Sequence, residues 1–305
     1  MKKPNFFVIG APKCGTTSLT CYLSQHPNVF ISPIKEPYFF NDDFPGNKLT
    51  RSLDDYLRLF EGAGDSHVAV GEGTTEYIYS LAALKNIKAF DHDAKIIVML
   101  RNPMHMVVSL HQQWFHSLFE DQNDFKKAWH LQSERSKGGS IPKHCRVPEW
   151  LLYGWMGSYS VHIEKVFQIF PKQNVKVIIF DDFCEKTEEI FGEVLDFLGV
   201  KRIESIEFSA ANRQREFSSK FSQLIAHNVP VCVRNMITRM RFFSWLKWIP
   251  SSMDMIFKTE SNGKFTFEKI EDELFKKEVI DFFREDIRKL SLILDRDLGE
   301  LWIQE

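Results

Sequence analysis

The sequence predicts an α/β fold of P-loop-like type: a three-layer arrangement with a central parallel sheet flanked by helices. Three observations carry the expectation. First, four near-continuous apolar, β-rich runs stand out at residues 6–9, 67–70, 95–100 and 175–180, separated by segments of helical character. Strands that are apolar along their whole length belong to parallel sheets covered on both faces. Second, each run ends in polar residues: a loop carrying Lys13, then Glu72, Arg101, and the pair Asp181 and Asp182. Ligands of open α/β sheets bind outside the carboxyl ends of the strands, so four separate segments point at one rim. Third, the first run passes straight into a glycine-containing turn and a helix start.

That first element spans residues 6–19. Its apolar strand breaks at Gly10, a turn with Pro12 and Lys13 follows, and Thr16-Thr17-Ser18 opens a helix continued by Leu19, Tyr22 and Leu23. Such a strand–loop–helix unit cradles anions, because backbone N–H groups and the helix dipole both face the helix N-terminus. The spacing nearly fits the nucleotide-binding pattern G-x-x-x-x-G-K-S/T. It departs at one position: Thr16 stands where the lysine belongs, and the lysine sits inside the loop as Lys13. Helical periodicity also marks residues 52–60, 103–115, 159–170, 187–198 and 272–294. Residues 120–150 are polar, with Gly138-Gly139, Pro142 and Pro148, and read as an excursion or mobile substrate loop. With no internal repeat and no low-complexity tract, residues 1–305 read as a single domain with a helical C-terminal part.

Composition bounds the function. The chain of 305 residues is long enough for a sizeable core. A net charge of −2 argues against nucleic acid or heparin held across the whole surface, so an anion needs a local basic pocket. Cys14, Cys21, Cys145, Cys184 and Cys232 are odd in number and scattered, which suggests reduced thiols in a reducing, cytoplasmic compartment. Neither a cysteine/histidine pattern nor a spaced carboxylate set suggests a metal site. No run approaches the length of a spanning helix. Lys2 and Lys3 before residues 6–9 imitate a signal-peptide start, but the apolar run is too short.

Further residues could carry chemistry. Arg101 leaves the third apolar run, Pro103 suits a first helical turn, and Ser109 lies about two turns on. A guanidinium with a hydroxyl is apt for a phosphate monoester, although an Arg-x-Pro sequence is also common at helix starts. Lys35-Glu36-Pro37-Tyr38-Phe39-Phe40 reads either as a solvated turn beside core aromatics or as an acid–base group with apolar walls. Gly71-Glu72-Gly73-Thr74-Thr75-Glu76-Tyr77 reads as a strand end with a helix cap or as a ligand-facing segment. His105 reads as solvent-facing; His111 and His116 read as core or acceptor contacts. In residues 239–257, Arg239, Arg241 and Lys247 interleave with Phe242, Phe243, Trp245 and Trp248. That segment reads as an aromatic, basic lid, a membrane-surface contact or a packed helix.

The Lys13 loop resembles the 5′-phosphosulfate loop of sulfotransferases, which take 3′-phosphoadenosine-5′-phosphosulfate (PAPS) as donor and release 3′-phosphoadenosine-5′-phosphate (PAP). Residues 34–40 resemble the Lys-Glu-x-x-Phe-Phe segment of the heparan-sulfate-type members, and the likeness extends from about residue 5 to residue 303 through residues 157–199 and 282–302. The resemblance implies that Lys13, Cys14, Gly15, Thr16, Thr17 and Ser18 bind the 5′-phosphosulfate and that Arg101 and Ser109 hold the 3′-phosphate. It implies further that Arg213 and Arg215 close over the nucleotide, that Glu36 is the general base, and that Lys13 stabilises the leaving phosphate. Lys35, Tyr38, Glu72, Tyr77, His111 and His116 would then face the acceptor. Gly73 stands where the heparan-type enzymes carry a lysine, which speaks against a polyanionic glycan. Eukaryotic carbohydrate sulfotransferases usually carry a membrane anchor, so the chain looks more like a bacterial or soluble relative. The expected partners are PAPS and PAP and a hydroxyl-bearing acceptor, with an amine as the second choice: a small molecule, a lipid, a glycan or a carrier-tethered apolar group, without nucleic acid. A P-loop small-molecule kinase and a non-catalytic nucleotide-binding protein are the rival readings.

Overall fold

The computed structural model describes residues 2–44, 46, 48–208, 216–217, 257–258 and 266–303. Five strands, β1 (Phe6–Gly10), β2 (Val29–Ile31), β3 (Ala69–Gly73), β4 (Lys95–Leu100) and β5 (Val175–Ile179), form one sheet in the order β2-β3-β1-β4-β5. Every neighbouring pair is parallel. β1 is buried at all five positions and β4 at five of its six, as their apolar sequences require. At Gly71 a Cβ would lie 2.4 Å from the Phe6 carbonyl oxygen, so only glycine lets β3 come this close to β1.

The chain runs from β1 outward through β2 to β3, then crosses back to β4 and β5. β1 thus lies where the winding direction reverses, the place where such sheets open a crevice at their carboxyl ends. The helices α1 (Thr16–Leu23), α2 (Leu53–Arg58), α3 (Leu81–Phe90), α4 (Pro103–His116), α5 (Phe125–His130) and α6 (Gln132–Arg135) follow in the first half. The second half contributes α7 (Tyr153–Gly157), α8 (Tyr159–Ile169), α9 (Phe180–Glu185), α10 (Thr187–Leu198), α11 (Glu273–Leu294) and α12 (Leu298–Trp302). Two short strands, β6 (Glu216–Phe217) and β7 (Phe257–Lys258), pair antiparallel.

Helix starts obey capping chemistry. Asn102 accepts a hydrogen bond from the Met104 N–H with Pro103 in the first turn, and Asp272 accepts from the Phe275 N–H. The Asn102 side-chain amide also donates to the Trp302 carbonyl at 3.1 Å, fixing the start of α4 against the C-terminal helix.

Several expectations shift. The second apolar run becomes a strand over Ala69–Gly73, later than residues 67–70, because the strand continues through Gly71 and Glu72. Phe180 opens α9 instead of closing β5. Asp182 pairs with Arg296, and Asp181 accepts from the Trp302 indole at 3.2 Å, so the polar end of the fourth run anchors α12. Residues 120–150 are not a structureless loop: α5 and α6 lie within them, and Trp129, Arg135 and Trp150 are buried. The reason is a buried bidentate pair, in which Arg135 donates to both Glu120 oxygens at 2.6 Å and Tyr153 adds a third donor at 2.8 Å. No helix among the described residues is long and apolar enough to cross a membrane.

Candidate active site

At the carboxyl end of β1 the turn enters α1 through Gly15, whose φ of +86° is the left-handed conformation that glycine adopts without strain. Lys13, with φ +63°, holds the same left-handed geometry despite its side chain. A cavity of about 580 Å³ opens here, lined by Lys13, Gly15 and Ser18 from the loop and α1, and by Arg101 and Ser109 from the end of β4 and α4. Phe180 forms its floor. A Cβ on Gly15 would sit 2.7 Å from that ring, and the Arg101 guanidinium lies 5.1 Å from the ring centroid. One aromatic ring thereby sets the height of the loop and the position of the arginine. Arg101 lines the cavity together with Glu268, a carboxylate that feels its charge. Tyr22, Phe183 and Phe208 add apolar walls.

Two loop residues point elsewhere. The Cys14 thiol is buried, donates to the Pro12 carbonyl at 3.3 Å, and is pushed up to about 12 by burial. Thr16 is buried as well, and neither residue is among those lining the cavity. Arg213, Arg215 and the segment 239–256 lie outside the described residues.

A second group stands beside the cradle. Lys35 donates to Oγ1 of Thr17 at 2.7 Å and lies 3.3 Å from Oε1 of Glu36, linking that carboxylate to the first turn of α1. Glu36 itself is half-exposed, has φ +57°, and is fixed to β3 by its N–H donating to the Gly73 carbonyl at 3.0 Å. The Tyr38 hydroxyl donates to its Oε2 at 3.2 Å, and the Thr75 hydroxyl lies 3.3 Å from its Oε1. Left-handed backbone at two non-glycine residues, Glu36 and Tyr38, marks a loop held in shape by its surroundings.

What holds it is beneath. Glu72 is fully buried and accepts from Tyr56 at 3.1 Å, Tyr77 at 3.1 Å and Thr74 at 2.6 Å. Burial pushes its carboxyl up to about 7 against those three donors. The Tyr77 oxygen in turn accepts the Phe39 and Phe40 N–H groups at 3.0 and 3.3 Å. Glu72 and Tyr77 therefore lie under the loop and fix it, with no surface of their own toward a ligand. His111 is buried in α4 with Nε2 2.8 Å from the Gln122 carbonyl, and burial lowers its proton affinity. His116 is half-buried at the last residue of α4. Trp150, brought in by the 120–150 segment, packs 6.3 Å from the Tyr38 ring.

His105, Glu268 and Glu76 take places that the sequence did not show. His105 lines the cavity rather than facing solvent, with Nε2 2.8 Å from Glu268, a lining residue contributed from the far end of the chain. Glu76 is a buried carboxyl beside Glu36. Its signal was present, an acid inside the otherwise buried stretch 69–80, but burial is not visible in a single sequence.

Comparison with known proteins places the fold in a family. Residues 3–265 match the family described as the sulfotransferase domain. The chain is 24% identical over 283 residues to the membrane-associated sulfotransferase kil1 of Dictyostelium discoideum, covering 68% of this chain and 59% of that protein. It is 25% identical over 214 residues to human heparan sulfate glucosamine 3-O-sulfotransferase 3B1, covering 70% of this chain and 50% of the relative. Only about half the length of these relatives is therefore matched. The crystal structure of a sulfotransferase from Alicyclobacillus acidocaldarius superposes with a TM-score of 0.69 at 24% identity, covering 100% of both chains. A mouse sulfotransferase complexed with PAP superposes with a TM-score of 0.50 at 13% identity over 94% of this chain and 85% of that one. The fold is shared with these structures, and the chain belongs to the sulfotransferase domain family.

Proposed function

We propose that the chain transfers a sulfuryl group from PAPS to a hydroxyl group by direct in-line displacement. One observation carries the reading: a cavity lined by Lys13, Arg101, Ser109 and the start of α1 adjoins a half-exposed carboxylate, Glu36, tied to α1 through Lys35. The cavity suits a bisphosphorylated nucleoside. The α1 N-terminus and Lys13 take one anionic group, Arg101 and Ser109 take the other, and Tyr22, Phe183 and Phe208 flank the base.

Bound PAPS supplies the activated sulfuryl group. Glu36 takes the acceptor proton as the acceptor oxygen forms its bond to sulfur. The bond from sulfur to the 5′-phosphate oxygen breaks, and Lys13 stabilises the charge that grows there. Lys35 orients Glu36, and the Tyr38 ring, backed by buried Trp150, limits water on the acceptor side. Gly73 in the place of the lysine of heparan-type enzymes favours an apolar or carrier-tethered alcohol over a polyanionic glycan. Unpaired Cys14, Cys21, Cys145 and Cys184 fit a reducing, cytoplasmic setting. Family membership counts against the kinase alternative.

The test is transfer of labelled sulfate from PAPS to a panel of phenols, long-chain alcohols and glycosides. Wild type is expected to label one class and Glu36→Gln none, with PAP affinity kept. Turnover by Glu36→Gln would overturn the assignment of the base, and a wild type that labels no class would overturn the transfer reading itself.

A further inference from the structure

Two hydroxyl groups and two carboxyl groups meet at this site. The Thr75 oxygen is 3.3 Å from Oε1 of Glu36 and 3.0 Å from Oε2 of Glu76. The Tyr38 hydroxyl donates to Oε2 of Glu36 at 3.2 Å. Each hydroxyl has one hydrogen. Two hydrogens cannot serve these three contacts if both carboxyls are ionised, because the Thr75 oxygen would then face one carboxylate lone pair against lone pair. A proton on Glu76 removes the conflict: the acid donates to Thr75, and both hydroxyls donate to Glu36. Glu76 is also the partner placed to hold that proton, since it is 2% exposed while the Glu36 side chain is 29% exposed.

We propose that Glu76 is kept as a carboxylic acid and, through Thr75, orients the Glu36 carboxylate toward the acceptor. Glu76 touches neither donor nor acceptor and is a positioning residue; the proposal rests on Glu36 acting as the base. Burial first, and the neighbouring Glu36 charge second, push the Glu76 carboxyl up to about 8, consistent with the hydrogen count. The groups facing it are Glu36, Lys35 and Tyr38 from the loop after β2, Thr75 beside it, and Tyr79 from the following turn. When Glu76 ionises, the Thr75 hydrogen is shared between two anions and Glu36 loses its fixed direction. Small misorientations of a catalytic group are costly, so the enzyme with Glu76 ionised is the poorer catalyst.

The experiment is a carbon-13 NMR titration of the whole chain labelled at the glutamate carboxyl carbons. The Glu36 and Glu76 resonances are assigned by their loss in Glu36→Gln and Glu76→Gln. The expected result is a Glu76 resonance that stays in the acid position at neutral pH and moves downfield near the value of about 8, with the Glu36 resonance shifting in the same step. In Glu76→Gln that alkaline step vanishes from Glu36. Should Glu76→Gln fail to fold, Thr75→Val cuts the link instead: Glu76 still titrates, and the alkaline step at Glu36 shrinks by at least half. A Glu76 resonance that titrates with the surface carboxyls, or a Glu36 resonance blind to it, overturns the proposal. The base assignment is read separately, from labelled-sulfate transfer by Glu36→Gln, so the two failures are distinguishable.

Discussion

Replacing Gly15 by alanine tests whether one ring couples the anion loop to Arg101. The new methyl meets two penalties. The φ of +86° costs an L-residue about 1–2 kcal/mol. A Cβ 2.7 Å from Cδ2 and Cε2 of Phe180 must also push a packed ring aside, and overpacking of this kind costs about 1–3 kcal/mol. The loop tolerates this only by moving, or by moving Phe180 and with it the guanidinium stacked 5.1 Å above. Loss of that stack removes about 0.5–1 kcal/mol of positioning, and misplaced loop N–H groups add to it. The expected outcome is a stability loss of about 2–5 kcal/mol in urea melts and a PAP affinity at least about tenfold weaker by calorimetry. Adding Phe180→Leu to Gly15→Ala gives the ring room, so the double variant should lose less stability than the sum of the singles. A Gly15→Ala protein with wild-type stability and wild-type PAP affinity would refute the coupling.

Three further outcomes follow from the same geometry. Glu120→Ala strands the buried Arg135 guanidinium, whose side chain and partner are both 0% exposed, and should cost about 3–5 kcal/mol in urea unfolding; a cost under 1 kcal/mol would show that the pair does not anchor residues 120–150. Tyr77→Phe takes the acceptor from two backbone N–H groups and a donor from Glu72, so a loss of about 1–3 kcal/mol is expected, with sulfate transfer reduced as the Glu36 loop loosens; unchanged stability and transfer would contradict the bracket. Stability should also depend on pH in a specific direction. Buried Glu72 and Glu76 have folded values raised to about 7 and about 8 from 4.5, so the stability they contribute is complete below about pH 4.5 and is lost as pH rises through those folded values. Buried His162, lowered from 6.5 to about 4, acts oppositely: its contribution is present above about pH 6.5 and is lost as pH falls through 4. Between about pH 6.5 and 8.5 only the carboxyls remain, and unfolding free energy should fall by on the order of 2 kcal/mol, with a flatter slope in Glu76→Gln. Equal slopes in the two proteins would show that Glu76 is ionised throughout.

The parts legible in the sequence were those written in local chemistry. Residues 103–115, 159–170, 187–198 and 272–294 read as helices from their periodicity and form helices within about a turn of those bounds. The Lys13 loop, Arg101 and Ser109 were visible because turn glycines and strand-end cations have a spacing, and they do line one cavity. β2 was missed because three residues, Val29–Ile31, are too few to show a period. The excursion at 120–150 looked unstructured because its folding rests on Glu120 and Arg135 pairing across 15 residues, which no local pattern reports. Glu72 and Tyr77 were recognisable as polar residues at a strand end, but their burial depends on Tyr56 arriving from α2. Sequence position could place a carboxylate at the rim; only packing decides whether it faces ligand or core.

Assignment of the cavity to the sulfuryl donor depends most directly on whether it reads a 3′-phosphate. Calorimetric titration of the wild-type chain with PAP, with ADP as the control lacking that group, answers it, and Arg101→Ala and Arg101→Lys locate the answer. The expected result is PAP bound at least about a hundredfold more tightly than ADP, a gap of about 3 kcal/mol that collapses in Arg101→Ala and is poorly restored by lysine, which lacks the planar fork. Equal affinity for PAP and ADP, or a gap indifferent to Arg101, would contradict the assignment of this cavity to the sulfuryl donor.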